Sequence, residues 1–145
     1  MIREELPLAD LVIGAVLIPG AKAPQLIHHE DLRLMKPGSV IIDVAIDQGG
    51  SIETARPTTH SDPTFIEEGV VHYCVTNMPG AVGRTSTFAL CNVTLPWALE
   101  IANRGIEPAA RELPSIASAI NIYQGNITNQ AVADSFQLAY NPVFQ

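Results

Sequence analysis

Three short stretches of the chain are almost continuously apolar: residues 10–18 (DLVIGAVLI), 39–46 (SVIIDVAI) and 70–77 (VVHYCVTN). A strand with one wet face alternates apolar and polar side chains. A near-continuous run suits a strand buried on both faces, as in a parallel sheet covered by helices. Between the first two runs, residues 28–36 (HHEDLRLMK) are acidic near their start and basic at their end, and Pro37-Gly38 follows. That pattern predicts a short helix and hence a βαβ unit, which should be right-handed. Residues 47–63 carry Gly49, Gly50, Pro57 and Pro63, which favours a structured loop over a helix.

The pattern changes after Asn77. Residues 78–84 read as a loop, and Thr85-Ser86-Thr87 as a cap cluster opening a long helix that runs to about Asn103 and stops at Arg104-Gly105. Pro96 lies inside that helix and is expected to kink or divide it. Two more helices are predicted at residues 113–123 and 128–138, followed by a loose tail. A boundary near Arg84 separates residues 1–84, which hold the strands, from the helical residues 85–145. A small parallel sheet whose first strand begins so near residue 1 would leave an apolar edge and an uncovered face. The expectation is an α/β fold: the second half of a doubly wound (Rossmann) parallel sheet, followed by a helical C-terminal segment.

Composition narrows the function. The 145 residues are 47% apolar and 16% charged, with a net charge of −7. The basic residues are scattered rather than clustered, which argues against a nucleic-acid surface. No apolar run approaches the roughly 20 residues of a membrane span. The opening Met1-Ile2-Arg3-Glu4-Glu5 is acidic, unlike a signal peptide. These features point to a soluble, cytoplasmic chain. Cys74 and Cys91 lie in apolar surroundings without ligand spacing, so both are expected to be free, buried thiols, and no metal site is predicted.

In a doubly wound sheet, ligands bind beyond the carboxyl ends of the strands. The segments to weigh are therefore residues 18–24, 47–50 and 77–82, all of which contain glycine. Asp47 follows a buried strand that also holds Asp43. Its carboxylate could meet a ribose hydroxyl, steady a developing cation or move a proton, or it could simply cap the turn of Gln48-Gly49-Gly50. Asn77 occupies the matching place after the third run, with an Asx-turn into Met78-Pro79 as the plainer role. Arg56 and Lys22 are loop cations able to meet phosphate or carboxylate, although most such residues are solvated. His28, His29, His60 and His72 show no metal-like spacing; His72 reads as structural and Glu67-Glu68 as a solvated face. The chain contains no GxGxxG, so a dinucleotide could be held only by its nicotinamide-facing half.

Several of these stretches resemble the alanine dehydrogenase family: residues 9–24 (ADLVIGAVLIPGAKAP), 36–40 (KPGSV), 43–50 (DVAIDQGG), 56–60 (RPTTH), 77–82 (NMPGAV) and 84–87 (RTST). The likeness is dense over residues 6–105 and thinner beyond. It implies NAD-dependent oxidative deamination of L-alanine to pyruvate and ammonia by a homo-oligomer, a hexamer in the family. It implies that Asp47 is the active-site aspartate beside the nicotinamide. Val16, Leu17, Val44, Ala45, Ile46, Asp47, Arg56, Val75, Thr76, Asn77 and Met78 fall in stretches that line the cofactor in that family. The family's glycine fingerprint, ribose-binding acid and substrate-binding Arg, Lys and His belong to sequence upstream of these motifs. The chain is thus expected to be a fragment, inactive alone and prone to pair with the N-terminal part or with copies of itself.

Two alternatives stand beside this one. The NAD-binding subunit of a proton-translocating transhydrogenase shares the region around residues 9–24, but lacks the stretches matching 47–50 and 77–82. A non-catalytic oligomerising module would follow if exposed strand edges merely drive association.

Overall fold

The computed structural model describes residues 1–19 and 22–144. It resolves into two compact units; the first comprises Met1–Ile18 and Lys22–Ala81, and the second begins at Val82.

The first unit is built on a four-stranded sheet in the order β1-β2-β4-β3, with β1 Leu11–Gly14, β2 Val40–Asp43, β3 Thr64–Glu67 and β4 Val70–Tyr73. β1, β2 and β4 correspond to the three apolar runs and are parallel, with Gly14 opposite Asp43 and Ile41 opposite His72. β3 is an edge strand absent from the sequence reading. It runs antiparallel to β4 through a two-residue turn at Glu68 (φ 48°) and Gly69 (φ 80°). Both turn residues are left-handed, as a tight hairpin matching strand twist requires. β3 leaves little trace in the sequence pattern because it is largely exposed, Ile66 included.

The covering helix between β1 and β2 is a 3-10 helix, His29–Leu34, rather than an α-helix. It is opened by the Asp31 carboxylate, which accepts a hydrogen bond from the His28 N–H at 2.9 Å. With only six residues before Pro37, the segment is too short to repay an α-helical nucleus, and tertiary packing sets its form instead. Leu32 and Met35 join Leu6, from the short helix α1 Ile2–Glu5 and its end, with Ile27, Ile41, Ile52 and Val70 in one apolar core. This core covers one face of the sheet. The opposite face is open, the uncovered face expected of so small a parallel sheet, with Leu11 52% and Ile13 59% exposed. All the segments that pack on the sheet within this unit converge on the Ile41 and Val70 side.

His72 lies on the covered face and is fully buried. Its Nδ1 is 3.0 Å from the Val70 carbonyl, which can only accept, so Nδ1 carries the proton. Nε2 then accepts from the Thr54 hydroxyl at 2.9 Å, and the ring stacks on Phe65 with centroids 4.9 Å apart. Burial pushes its pKa below the ordinary value, outweighing the upward pull of the Val70 carbonyl and of the Glu67 and Asp43 charges. Cys74 is buried on the same face; burial first, then the Asp43 charge, pushes its thiol up.

The second unit opens with α2 Gly83–Arg104, a single helix of 22 residues. Pro96 does not divide it. Its missing N–H leaves one carbonyl a turn earlier unpaired, a loss an exposed helix can make good with water. The Thr85–Thr87 cluster lies inside the helix rather than capping it; the N-cap is Val82. Cys91 is exposed on α2, contrary to the expectation of a buried thiol. Beyond Gly105 come α3 Ile106–Glu112 and α4 Pro114–Ala119, whose Ala109, Ala110 and Ile116 form a small core. The helix expected at residues 113–123 ends at Ala119. A hairpin replaces its second half, β5 Ile122–Tyr123 with β6 Asn126–Ile127, turning through Gln124 and Gly125 at positive φ. α5 Gln130–Phe136 is capped by Asn129, whose Oδ1 accepts from the Ala131 and Val132 N–H groups at 3.0 and 3.3 Å. No helix among the described residues is long and apolar enough to cross a membrane.

Because His72 is buried neutral, the unfolded chain takes up a proton on acidification more readily than the folded one. The stabilisation is therefore present in full above the unfolded pKa of about 6.5 and is lost as pH falls through the depressed folded value. Urea unfolding of the first unit at pH 7.5 and pH 5 should show this loss, and the His72→Gln variant should lose less stability between the two pH values.

Candidate functional site

The carboxyl ends of β1, β2 and β4 lie side by side because the three strands are parallel and in register. The segments leaving them are then tied together by backbone. The Ala23 N–H donates to the Gln48 carbonyl at 3.0 Å, and the Leu26 N–H to the Ser51 carbonyl at 2.8 Å, joining the post-β1 and post-β2 segments. The Thr58 N–H donates to the Cys74 carbonyl at 2.9 Å, and the Thr76 N–H to the Thr58 carbonyl at 3.4 Å. These bonds bring the segment after Arg56 alongside the end of β4.

At the end of β2 two carboxylates four residues apart have opposite surroundings. Asp43 is fully buried. Its Oδ1 accepts from the Ala45 N–H at 3.0 Å and the Ser51 hydroxyl at 3.2 Å. Its Oδ2 accepts from the Ser51 N–H at 2.8 Å and the Ile52 N–H at 3.1 Å. The neighbouring strand makes room: a Cβ on Gly14 would fall 2.3 Å from the Ser51 hydroxyl, so only glycine fits there. Asp47 is exposed on the 3-10 turn Ile46–Gln48, and its carboxylate accepts no hydrogen bond from any described residue. The turn-capping role weighed for Asp47 is filled by backbone, since the Gln48 and Gly50 N–H groups both donate to the Ala45 carbonyl and the Gly49 N–H to Ile46. Nearby, the Gln48 Oε1 is buried without a donor among the described residues.

The other sequence candidates divide by burial. Ala45, Ile46 and Val75 are buried and can offer a ligand only their backbone or a rigid floor. Leu17 and Val44 are exposed apolar residues, Val16 and Met78 are half-buried, and Thr76 and Asn77 are exposed. Arg56 is exposed, with its guanidinium carbon 4.3 Å from the Phe65 ring centroid, at a cleft of about 200 Å³ lined also by Thr58, Thr59 and Asp62. The stem of Lys22 passes beside Gly49. His28 and His29 stand apart, facing Glu53 and Glu68 at 3.3 and 3.4 Å.

Two residues of this region were not singled out for the site from the sequence. Asp43 was noted only as a strand residue; its signal is a carboxylate within a buried strand, with glycine at the paired position. His60 is the other: its Nε2 stands 2.6 Å from the Asn77 carbonyl, 17 positions along the chain. No local pattern carries that contact.

A family model described as "Alanine dehydrogenase/PNT, C-terminal domain" matches residues 1–130. Alanine dehydrogenase 2 of Staphylococcus aureus is 57% identical over 136 residues, 93% of this chain and 37% of its own length. Alanine dehydrogenase of Halomonas elongata is 55% identical over 132 residues, 91% of this chain and 36% of its own length. A solved L-alanine dehydrogenase structure superposes with a TM-score of 0.76 at 46% identity, covering 94% of this chain and 37% of that one. A transhydrogenase structure from Sinorhizobium meliloti gives 0.64 at 26% identity, covering 90% and 35%. The chain thus spans little more than a third of the length of the relatives it matches.

The two carboxylates should respond oppositely to substitution. Asp43→Ala strands three backbone N–H groups in a buried site and should cost about 3 kcal/mol or more. By hydrogen-exchange NMR, the Ser51 and Ile52 amides should then exchange roughly 10²-fold faster. Asp47→Ala should leave both amides protected, with a stability change within about 0.5 kcal/mol.

Proposed function

The chain belongs to the alanine dehydrogenase/PNT C-terminal domain family, and on that premise we propose that it forms the nicotinamide-facing half of the NAD site of an L-alanine dehydrogenase. The reaction is oxidative deamination of L-alanine to pyruvate and ammonia. The observation that carries the reading is Asp47, an exposed carboxylate unclaimed by any described residue at the carboxyl end of the central parallel strand. The fit to the nicotinamide end rests on the chain's own groups. Apolar side chains of Leu17, Val44 and Met78 offer a surface for a flat ring, while the Gln48 Oε1 is an acceptor in want of a donor. No glycine-rich pyrophosphate cradle is present in these residues, so the fit extends to that half only.

NAD, when bound, supplies the hydride acceptor. The role of Asp47 is electrostatic. Loss of hydride leaves the alanine Cα electron-poor and iminium-like, and a fixed carboxylate at that point stabilises the developing positive charge. Asn77 and Met78, leaving the neighbouring strand, border the same opening and limit the approach of water. Arg56, stacked over Phe65, is a loop cation that would meet a phosphate or carboxylate of the cofactor. The resemblance puts the family's substrate-binding Arg, Lys and His in sequence upstream of these motifs, so turnover requires the remaining length of the family's subunit. The transhydrogenase NAD-binding subunit is the second reading. It is favoured by the shared fold and weakened by the lower identity and by the presence of Asp47 with Asn77-Met78.

The test is NADH production from L-alanine and NAD at alkaline pH, with the chain alone and with a polypeptide carrying the rest of the relatives' length. Silence alone and activity on complementation are expected. Asp47→Asn in the complemented enzyme should lower kcat about 10²-fold or more while leaving folding intact. Turnover by the chain alone would overturn the requirement for the other part, and silence in both would overturn the dehydrogenase reading.

A further inference from the structure

The chain leaving β4 turns at Asn77 into a 3-10 helix, Met78–Val82, and the imidazole of His60 reaches that turn from another segment. The Asn77 carbonyl accepts two hydrogen bonds, one from the Gly80 N–H at 3.0 Å and one at 2.6 Å from His60 Nε2. A carbonyl can only accept, so His60 must carry its proton on Nε2. His60 itself stands on a stitched turn. The Thr59 and Asp62 backbones bond each other, Thr59 Oγ1 lies 3.0 Å from Ser61 Oγ, and the Thr58 hydroxyl donates to the Pro63 carbonyl at 3.0 Å. The preceding Thr58 is bonded to the backbone at the end of β4. The contact leaves little room around it: a Cβ on Gly80 would fall 2.8 Å from Asn77 Nδ2 and 3.2 Å from His60 Nε2. Glycine at position 80 is what lets the ring and the Asn77 side chain close on the loop.

We propose that His60 is a positioning residue, fixing the Asn77–Gly80 loop at the mouth of the site through its Nε2–H and thereby setting affinity for the dinucleotide. The cofactor half of this rests on the reading of the loop given under Proposed function; the conformational half stands on the geometry alone. A loop whose turn carbonyl is bonded twice keeps one orientation of Asn77 and Met78 before a ligand arrives, so less order has to be created on binding. Without the imidazole, the Asn77 carbonyl keeps only the Gly80 N–H bond from within its own turn.

The experiment uses the whole 145-residue chain in two arms. In the first, without cofactor, long-range ¹H–¹⁵N NMR reports the His60 tautomer, and backbone shifts report the Asn77 carbonyl and Gly80 amide. The Nε2–H form is expected, with both backbone signals moving in His60→Ala and returning in His60→Gln, which offers an amide N–H at similar reach. Gly80→Ala should move the His60 and Asn77 signals from the other side. In the second arm, NADH fluorescence titration should show His60→Ala weakening binding about three- to tenfold, the range of one hydrogen bond, with His60→Gln within about twofold of the parent. An Nδ1–H tautomer, or unmoved Asn77 and Gly80 signals in His60→Ala, would overturn the proposal whatever the titration gives. Equal NADH affinity in parent and His60→Ala would overturn its cofactor half. A parent that binds no NADH would instead overturn the cofactor reading itself, the first arm still deciding the positioning role.

Discussion

The buried carboxylate of Asp43 is the constraint around which the first unit is arranged. An ion in an apolar interior costs several kcal/mol unless its lone pairs are met. Here three backbone N–H groups and a hydroxyl meet them, all from the residues that follow the strand. The chain must therefore turn back at once after β2 and place Ala45, Ser51 and Ile52 around the carboxylate. That turn fixes where residues 46–50 project. It also requires glycine at position 14 on the neighbouring strand, because the Ser51 hydroxyl occupies the space a side chain would take. The exposed position of Asp47 is thus a consequence of the satisfied position of Asp43.

The same buried face holds His72 and Cys74, and its polar groups are kept compatible by protonation. His72 is neutral with its proton directed at a backbone carbonyl, and burial holds Cys74 as a thiol. The face therefore carries one carboxylate satisfied by protein donors and two neutral groups rather than competing charges. Apolar surface left without cover is found elsewhere, on the outer face of β1 and along α2, where Phe88, Leu90, Val93 and Trp97 are exposed around the helix. A helix apolar on several sides is normally a buried one. These surfaces are consistent with a chain that spans little more than a third of its relatives' length.

The three parallel strands were legible because a strand buried in a parallel sheet needs continuous apolar character, and little else in the sequence has it. β3 was not, since an exposed edge strand owes its existence to pairing with β4 rather than to its own pattern. The segment at residues 29–34 had helix signals but too little length, and packing settled it as a 3-10 helix. In the second unit, Gln124-Gly125 turned a predicted helix into a hairpin, a two-residue signal outweighed on paper by the helix formers before it.

The site shows the same division. Strand-end loops can be located from sequence, and the exposed turn that carries Asp47 does follow β2. What could not be read is which of two carboxylates at the end of β2 was already committed. Spacing singled out Asp47, just beyond the strand, and passed over Asp43 within it; only the orientation of the backbone N–H groups of Ser51 and Ile52 shows that Asp43 is committed. The His60 contact is further from reach, because it joins a loop to a carbonyl 17 residues away and depends on a glycine three positions beyond that carbonyl. A residue type announces its chemistry, whereas its availability for that chemistry depends on what the rest of the chain has already asked of it. Asp47 and His60 differ in that respect: the Asp47 carboxylate accepts no hydrogen bond from a described residue, whereas the His60 imidazole is already bonded to the Asn77 carbonyl.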